Sequence, residues 1–137
     1  MGLILDSSVV IAAERRGHSV LEILEQIQMA RGEHDIALSV VSIAELMHGV
    51  YRTKSDSDKN RRLAFIDRLC SDVTVHPITV EIARIIGRIE GEQAAIGNII
   101  AFEDLAIGAT ALHLGFDVAT HNLRHFQRIP GLNVITI

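Results

Sequence analysis

The sequence predicts an α/β fold with a central parallel sheet of about five strands and helices on both faces. Short β-rich runs alternate along the chain with segments that have helical periodicity. Each β-rich run is brief and does not form an extended pattern of alternating apolar and polar residues, which is typical of strands covered on both sides. In such sheets the carboxyl ends of the strands meet the starts of the helices, and ligands bind there.

Each strand is predicted from a brief run rich in β-branched or apolar residues, bounded by polar or turn residues. In chain order, the predicted strands are Leu3–Leu5, Ile36–Leu38, Val73–Val75, Asp117–Ala119 and Asn133–Ile135. The chain has no internal repeat and no low-complexity segment. We therefore expect residues 1–137 to form a single domain.

Helices are predicted where apolar residues recur at three- and four-residue spacing. These segments are Val9–Arg16, Val20–Ala30, Ile43–Val50, Ile82–Ile89 and Leu105–Leu114. The last segment is apolar or small nearly all round, so it is expected to be buried, with Gly108, Ala109 and Ala111 allowing its backbone to approach the sheet closely. The polar stretch Thr53–Asn60 is expected to be a loop between helices.

Composition and charge exclude several function classes. The net charge is −4, which argues against a protein that binds nucleic acid in bulk through counterion release, although basic residues such as Arg124 and Arg128 remain available for phosphates. Only 4% of residues are aromatic and there is no Trp, so a base-stacking platform is not expected. Charges interrupt every apolar run and the N-terminus lacks a secretory pattern, so we expect a cytoplasmic protein without membrane contact. The single cysteine, Cys70, is expected to be a buried structural thiol.

Three acids follow or begin predicted elements in similar ways. Asp6 ends the first strand, Glu45 follows the second strand, and Asp104 begins the buried helix. Because the starts of helices lie on one edge of a parallel sheet, these carboxylates are expected to share a site. Three carboxylates without a basic partner in their motifs indicate a hard divalent cation, Mg²⁺ or Mn²⁺, and phosphoester hydrolysis.

Each acid also has a purely structural alternative. Asp6 has the position of an N-cap, and Asp104 could serve only to stabilise the positive end of its helix. Glu45 completes a capping box with Ser42, in which the glutamate bonds back to the serine amide. A zinc site built from His113, His121 and His125 is a further alternative, but no recognised zinc motif supports it.

The ordered motifs of this chain resemble the PIN-domain ribonucleases, and among them the VapC toxins of bacterial toxin–antitoxin pairs. The resemblance covers essentially the whole chain. It rests on the segments Leu3–Ser8, Ser42–Leu46, Ile100–Leu112, Ala119–Phe126 and Ile129–Leu132.

The resemblance implies a site and partners. Asp6, Glu45 and Asp104 match the metal-binding acids of the family, with Ser7, Thr120 and Asn122 as secondary site residues. Asn122 and His125 stand where the family often has a fourth acid, so one Mg²⁺ or Mn²⁺ is expected, not two. The implied protein is a homodimeric endoribonuclease toxin that cleaves RNA and is inhibited by a VapB-type antitoxin. Its apolar helices Val20–Ala30 and Ser42–Tyr51 are suited to such interfaces.

Two other functions are alternatives to this one. A catalytically degenerate PIN domain would bind RNA or a protein without cleavage, which the missing fourth acid favours. A phospho-acceptor role for Asp6 is less consistent with the sequence, because Ser8 stands where the second Asp of an Asp-x-Asp motif would be.

Overall fold

The chain folds around a five-stranded parallel sheet. The computed structural model describes residues 1–137, with the strands in the spatial order β3-β2-β1-β4-β5 and every pairing parallel. The strands are β1 (Gly2–Leu5), β2 (Asp35–Ser39), β3 (Thr74–His76), β4 (Asp117–Thr120) and β5 (Val134–Thr136). The predicted α/β class with about five parallel strands is confirmed, and all five strands lie within one residue of their predicted bounds.

Seven helices connect and cover the strands. They are α1 (Ser7–Arg15), α2 (Val20–Arg31), α3 (Val40–Tyr51), α4 (Asp56–Asp72), α5 (Val80–Ala95), α6 (Phe102–Leu114) and α7 (Leu123–Phe126). None of them combines the length and the hydropathy that a membrane-spanning helix requires.

Both faces of the central strand are buried in separate apolar cores. Leu3 and Leu5 pack with side chains from α1, α2, α3 and α4, whereas Ile4 packs with side chains from α5 and α6. All three residues are fully buried. This two-sided burial explains why β1 is apolar at every position, because each successive residue enters one core or the other.

The sheet order places the end of β1 at a switch point. The chain leaves β1 toward β2 on one side, and β4 pairs with β1 on the other side. A crevice opens outside the carboxyl ends of strands where the order reverses in this way. The backbone N–H of Asp6 donates to the carbonyl oxygen of Ala119 at 2.9 Å, which extends the β1–β4 ladder and fixes Asp6 at that crevice.

The capping box predicted for Ser42 and Glu45 is wrong. Helix α3 begins directly after β2, and its N-cap is Ser39, whose hydroxyl accepts from the amide of Val41 at 3.3 Å. Ser42 therefore lies inside the helix and is fully buried, and its hydroxyl has no hydrogen-bond partner. The β-branched pair at the start of the helix concealed this boundary in the sequence.

Two further expectations are corrected on α4. The predicted loop Thr53–Asn60 is helical from Asp56, because Ser55 caps the helix and acids occupy its first turn, as the helix dipole favours. Cys70 is exposed, not buried. Ile66 and Leu69 form the buried face of this helix, and the next residue after Leu69 is turned away from the core.

Helix α6 is as deeply buried as its composition predicts. Its residues from Leu105 to Ala111 are all buried. A Cβ built on Gly108 would lie 2.6 Å from Cδ1 of Ile129, so the glycine makes room for the segment after α7. At Gly108 the close approach is therefore to this segment and not to the sheet as expected, and it packs the segment after α7 against α6.

Candidate functional site

Asp6, Glu45 and Asp104 line one cavity of about 510 Å³. Asp6 directly follows β1, Glu45 lies in the second turn of α3, and Asp104 lies in the first turn of α6. Three elements that are distant in sequence therefore deliver one carboxylate each to the same crevice. Ser7, Asn122 and His125 also line it.

Hydroxyl groups hold Asp6 in a fixed orientation. Its Oδ2 accepts from the hydroxyls of Ser8 and Thr120, each at 2.8 Å. The backbone amide of Asn122 donates to Thr120 Oγ1 at 2.9 Å, so the network extends into the loop after β4. Asp6 occupies the N-cap position of α1 but makes no side-chain capping bond, so the interpretation of this acid as a simple cap is wrong.

Glu45 is oriented by a neighbour of Asp6. The hydroxyl of Ser7 donates to Glu45 Oε2 at 2.8 Å. Burial raises the pKa of Glu45, the Ser7 bond opposes that rise, and the negative charges of Asp6 and Glu103 add to it. The other oxygen, Oε1, has no hydrogen bond within the chain.

Asp104 carries the largest perturbation in the site. Burial raises its pKa from 3.8 to about 6; His125 opposes this rise, and the charges of Asp6, Glu45 and Glu103 increase it. Its Oδ2 lies 3.5 Å from Nδ1 of His125, the one cationic partner it has when that ring is protonated. The raised pKa values of these two half-buried acids indicate a cavity with too little positive charge.

This donor set fits a hard divalent cation. Asp6 and Glu45 each have one oxygen in a hydrogen bond and one that is free, and mutual repulsion among the acids would be relieved by a cation. No group of three His, Cys, Asp or Glu side chains is arranged so that it could hold a metal by itself. A cation in this cavity would therefore need further oxygen ligands, such as water, beside the carboxylates.

Comparison with known proteins shows the family to which the chain belongs. The family model described as "PIN domain" matches residues 3–132 of the chain. The chain belongs to the PIN-domain family. Ribonuclease VapC1 of Rickettsia felis is 33% identical over 100% of this chain and 97% of its own length. Ribonuclease VapC of Rickettsia bellii is likewise 33% identical, with the same coverage. The resemblance to PIN-domain VapC ribonucleases is therefore confirmed.

Solved structures share the fold of this PIN-domain protein. VapBC2 from Rickettsia felis, bound to a DNA fragment from its promoter, superposes with a TM-score of 0.85 at 23% identity, covering 100% of this chain and 99% of that one. DNA-bound VapBC from Salmonella typhimurium gives a TM-score of 0.82 at 24% identity, covering 99% and 98%. The likeness extends over the whole sheet and all its helices.

The structure also reveals site residues of this PIN-domain protein that the sequence did not single out. Ser8 donates to Asp6 and accepts from the backbone amide of His121 at 3.3 Å, so it links β1 to the loop after β4. Glu103 lines the acidic cavity beside Asp104. The position of Ser8, two residues after an acid at a helix start, was a usable signal, because hydroxyls there commonly bond to the preceding side chain or backbone.

The predicted zinc alternative finds no support. His113 lies in the last turn of α6, whereas His125 lies opposite the first turn of that helix, beside Asp104. The histidines therefore do not converge, and no cluster of metal-binding side chains includes them.

Proposed function

We propose that this chain is a VapC-type toxin, an endoribonuclease that hydrolyses RNA phosphodiester bonds with Mg²⁺ or Mn²⁺ and is inhibited by a VapB-type antitoxin. The single observation that carries the proposal is the acidic cavity, where Asp6, Glu45 and Asp104 lie together in a protein whose relatives are named ribonucleases. Residues 1–137 would act as one PIN domain in the cytoplasm.

Each acid has a distinct proposed role. Asp6 and Asp104 would hold the cation, since Asp6 is oriented by two hydroxyls and Asp104 is half-buried with too little compensating charge. A divalent cation bound there would supply Lewis-acid chemistry to the phosphate. Glu45 would orient the attacking water and accept its proton at Oε1, a role that its raised pKa suits.

The secondary residues would support these roles. Ser7 orients Glu45, and Thr120 orients Asp6, by the hydrogen bonds described above. Asn122 lines the cavity and would contact water or a substrate phosphate. Such supporting bonds fix the orientation of metal-binding carboxylates and tune their basicity.

The partners of the proposed toxin are an antitoxin and a second copy of the chain. The matched structures from Rickettsia felis and Salmonella typhimurium are both described as VapBC complexes, which supports an antitoxin partner here. Large apolar side chains such as Leu21 and Met29 are exposed and offer surface for such contacts.

The proposal is tested by metal-dependent cleavage. The purified protein is expected to cleave single-stranded RNA with Mg²⁺ or Mn²⁺ and to lose activity with EDTA, while Asp6→Asn and Asp104→Asn reduce the rate by more than about 100-fold. Asp67→Asn, an exposed acid on α4, is the matched control and should retain activity. If the parent protein and both acid variants bind RNA equally well and none of them cleaves it, the chain is instead a degenerate PIN domain.

A further inference from the structure

A second cavity adjoins the acidic one and has the opposite charge. It has a volume of about 300 Å³ and shares Ala101, Asp104 and His125 with the acidic cavity. Its remaining titratable side chains are Arg124 and Arg128. A charged ligand that extends from one cavity to the other therefore passes from carboxylates to guanidinium groups within a single continuous surface.

Neither arginine is neutralised within the chain. Arg124 and Arg128 are exposed, and neither lies within 4.0 Å of a carboxylate, unlike Arg61, Arg68 and Arg88, which all have acidic partners. In a protein with a net charge of −4, two unpaired arginines beside a cluster of acids have a positive charge that no folded contact uses. Guanidinium groups of this kind bind phosphate through paired N–H donors.

The backbone segment that carries the two arginines is anchored in the core. Phe126 and Ile129, which alternate with them along the chain, are 0% and 3% exposed and belong to the core on the α5 and α6 side of the sheet. The close contact between Ile129 and Gly108 ties this segment to α6, the helix that carries Asp104. The distance between the arginines and the acidic cavity is therefore set by core packing, not by a flexible loop.

We propose that Arg124 and Arg128 bind the phosphate next to the scissile phosphate, so that the RNA strand runs from the acidic cavity into the basic one. The proposal rests on the proposed ribonuclease function. When the scissile phosphate of an RNA lies at the acids, the neighbouring phosphate must lie outside the acidic cavity. The basic cavity opens directly beside the acidic one and can receive that phosphate. Ile99, which is 85% exposed, adds an apolar wall suited to a ribose or base.

The test compares a long substrate with a minimal one. Cleavage kinetics are measured on a single-stranded RNA of random sequence, about 12 nucleotides long, and on dinucleotides, which contain only the scissile phosphate. Arg124→Gln and Arg128→Gln are each expected to lower kcat/KM on the long RNA about 10-fold and to leave dinucleotide cleavage unchanged. Arg124→Lys and Arg128→Lys, which keep the charge, should recover part of the loss.

The matched control is Arg84→Gln, which removes an exposed, unpaired arginine from α5. Arg84 lies one helical turn after Glu81, whose charge interacts with His113. His113 is in the last turn of α6, whereas Asp104 is in the first turn. The control residue is therefore remote from both cavities. This variant should behave as the parent does on both substrates.

Binding provides a second readout. In an Asp6→Asn background that does not cleave, fluorescence anisotropy with the same RNA should show that each Arg→Gln change lowers the slope of log K against log salt by about 0.7, the value for one lost contact to single-stranded nucleic acid. An unchanged slope would contradict the proposal even if cleavage fell.

The outcomes separate this inference from the proposed function. If the parent protein cleaves neither substrate, the ribonuclease proposal fails. If it cleaves both and the arginine variants do the same, the ribonuclease proposal stands and the phosphate subsite is refuted. Equal losses on both substrates would assign the arginines to the scissile phosphate itself. Normal cleavage combined with weaker binding of a co-expressed antitoxin would assign the basic cavity to the protein partner.

Discussion

Replacing Asp104 with asparagine is expected to stabilise the protein at neutral and alkaline pH when no divalent cation is present. Burial and neighbouring acids raise the pKa of this carboxyl from 3.8 to about 6. The folded state therefore binds this proton more tightly than the unfolded state does. The free energy of unfolding accordingly falls as the pH rises from about 4 to about 6, and the full penalty is present above that range.

The size of the effect follows from the pKa. A rise of about two in pKa corresponds to an upper limit of about 3 kcal/mol. The Asp104 side chain is 16% exposed and the cavity is open to water, so screening reduces the expected penalty to roughly 1–2 kcal/mol. For a chain of this length, Asp104→Asn should then raise Tm by roughly 4–8 °C at about pH 8 and by almost nothing at about pH 4.5.

The assay is thermal unfolding followed by circular dichroism in EDTA at both pH values, with Asp67→Asn as the control for loss of an exposed acid. Adding Mg²⁺ at about pH 8 should raise the Tm of the parent protein. At a Mg²⁺ concentration of about 100 times Kd, the free energy of unfolding should rise by up to about 2.7 kcal/mol. The Tm of Asp104→Asn should rise much less. Parallel pH profiles of the parent and the variant, or a lower Tm for the variant at pH 8, would refute this account of the cavity.

Three further predictions concern the support of the site. Ser39→Ala removes the N-cap of α3 and should cost about 1 kcal/mol of unfolding free energy, whereas Ser42→Ala, which removes a buried hydroxyl without a partner, should be neutral or stabilising in the same denaturant titration. Thr120→Val removes a hydroxyl that orients the first acid and should lower kcat/KM by about 10-fold with little change in Tm; an unchanged rate would show that the bond is dispensable. Gly108→Val should cost about 1–3 kcal/mol, because a Cβ there lies 2.6 Å from a buried isoleucine methyl, while Gly87→Val, which meets nothing within 4 Å, should cost less.

The sequence was sufficient to predict the sheet and the acids. Brief β-rich runs located all five strands within one residue, and the fully buried β1 is apolar because both of its faces are covered. The same logic identified α6 as a buried helix and Asp104 as the acid at its start. Polar, exposed segments were less well predicted, because α4 begins in a region whose composition suits either a loop or the first turn of a solvent-exposed helix.

Helix caps are poorly predicted by the sequence alone. Ser42 and Glu45 satisfy a capping box in sequence. The helix begins at Val40, so Ser42 lies inside it and cannot be its N-cap. Asp6 has the right type and position for a cap, and its side chain nevertheless bonds to Ser8 and Thr120. A carboxylate takes the best donors within reach, and local sequence shows only the donors that are close along the chain.

By itself, the sequence determined which segments are buried, which acids stand at helix starts, and which family the chain belongs to. Only the tertiary structure decided that Thr120 bonds to Asp6, that Ser7 bonds to Glu45, and that two unpaired arginines adjoin the acids. The physical reason is that hydrophobic periodicity reports burial along one element. Contacts between elements depend on the sheet order, and here that order places β1 beside β4 across more than a hundred residues of chain.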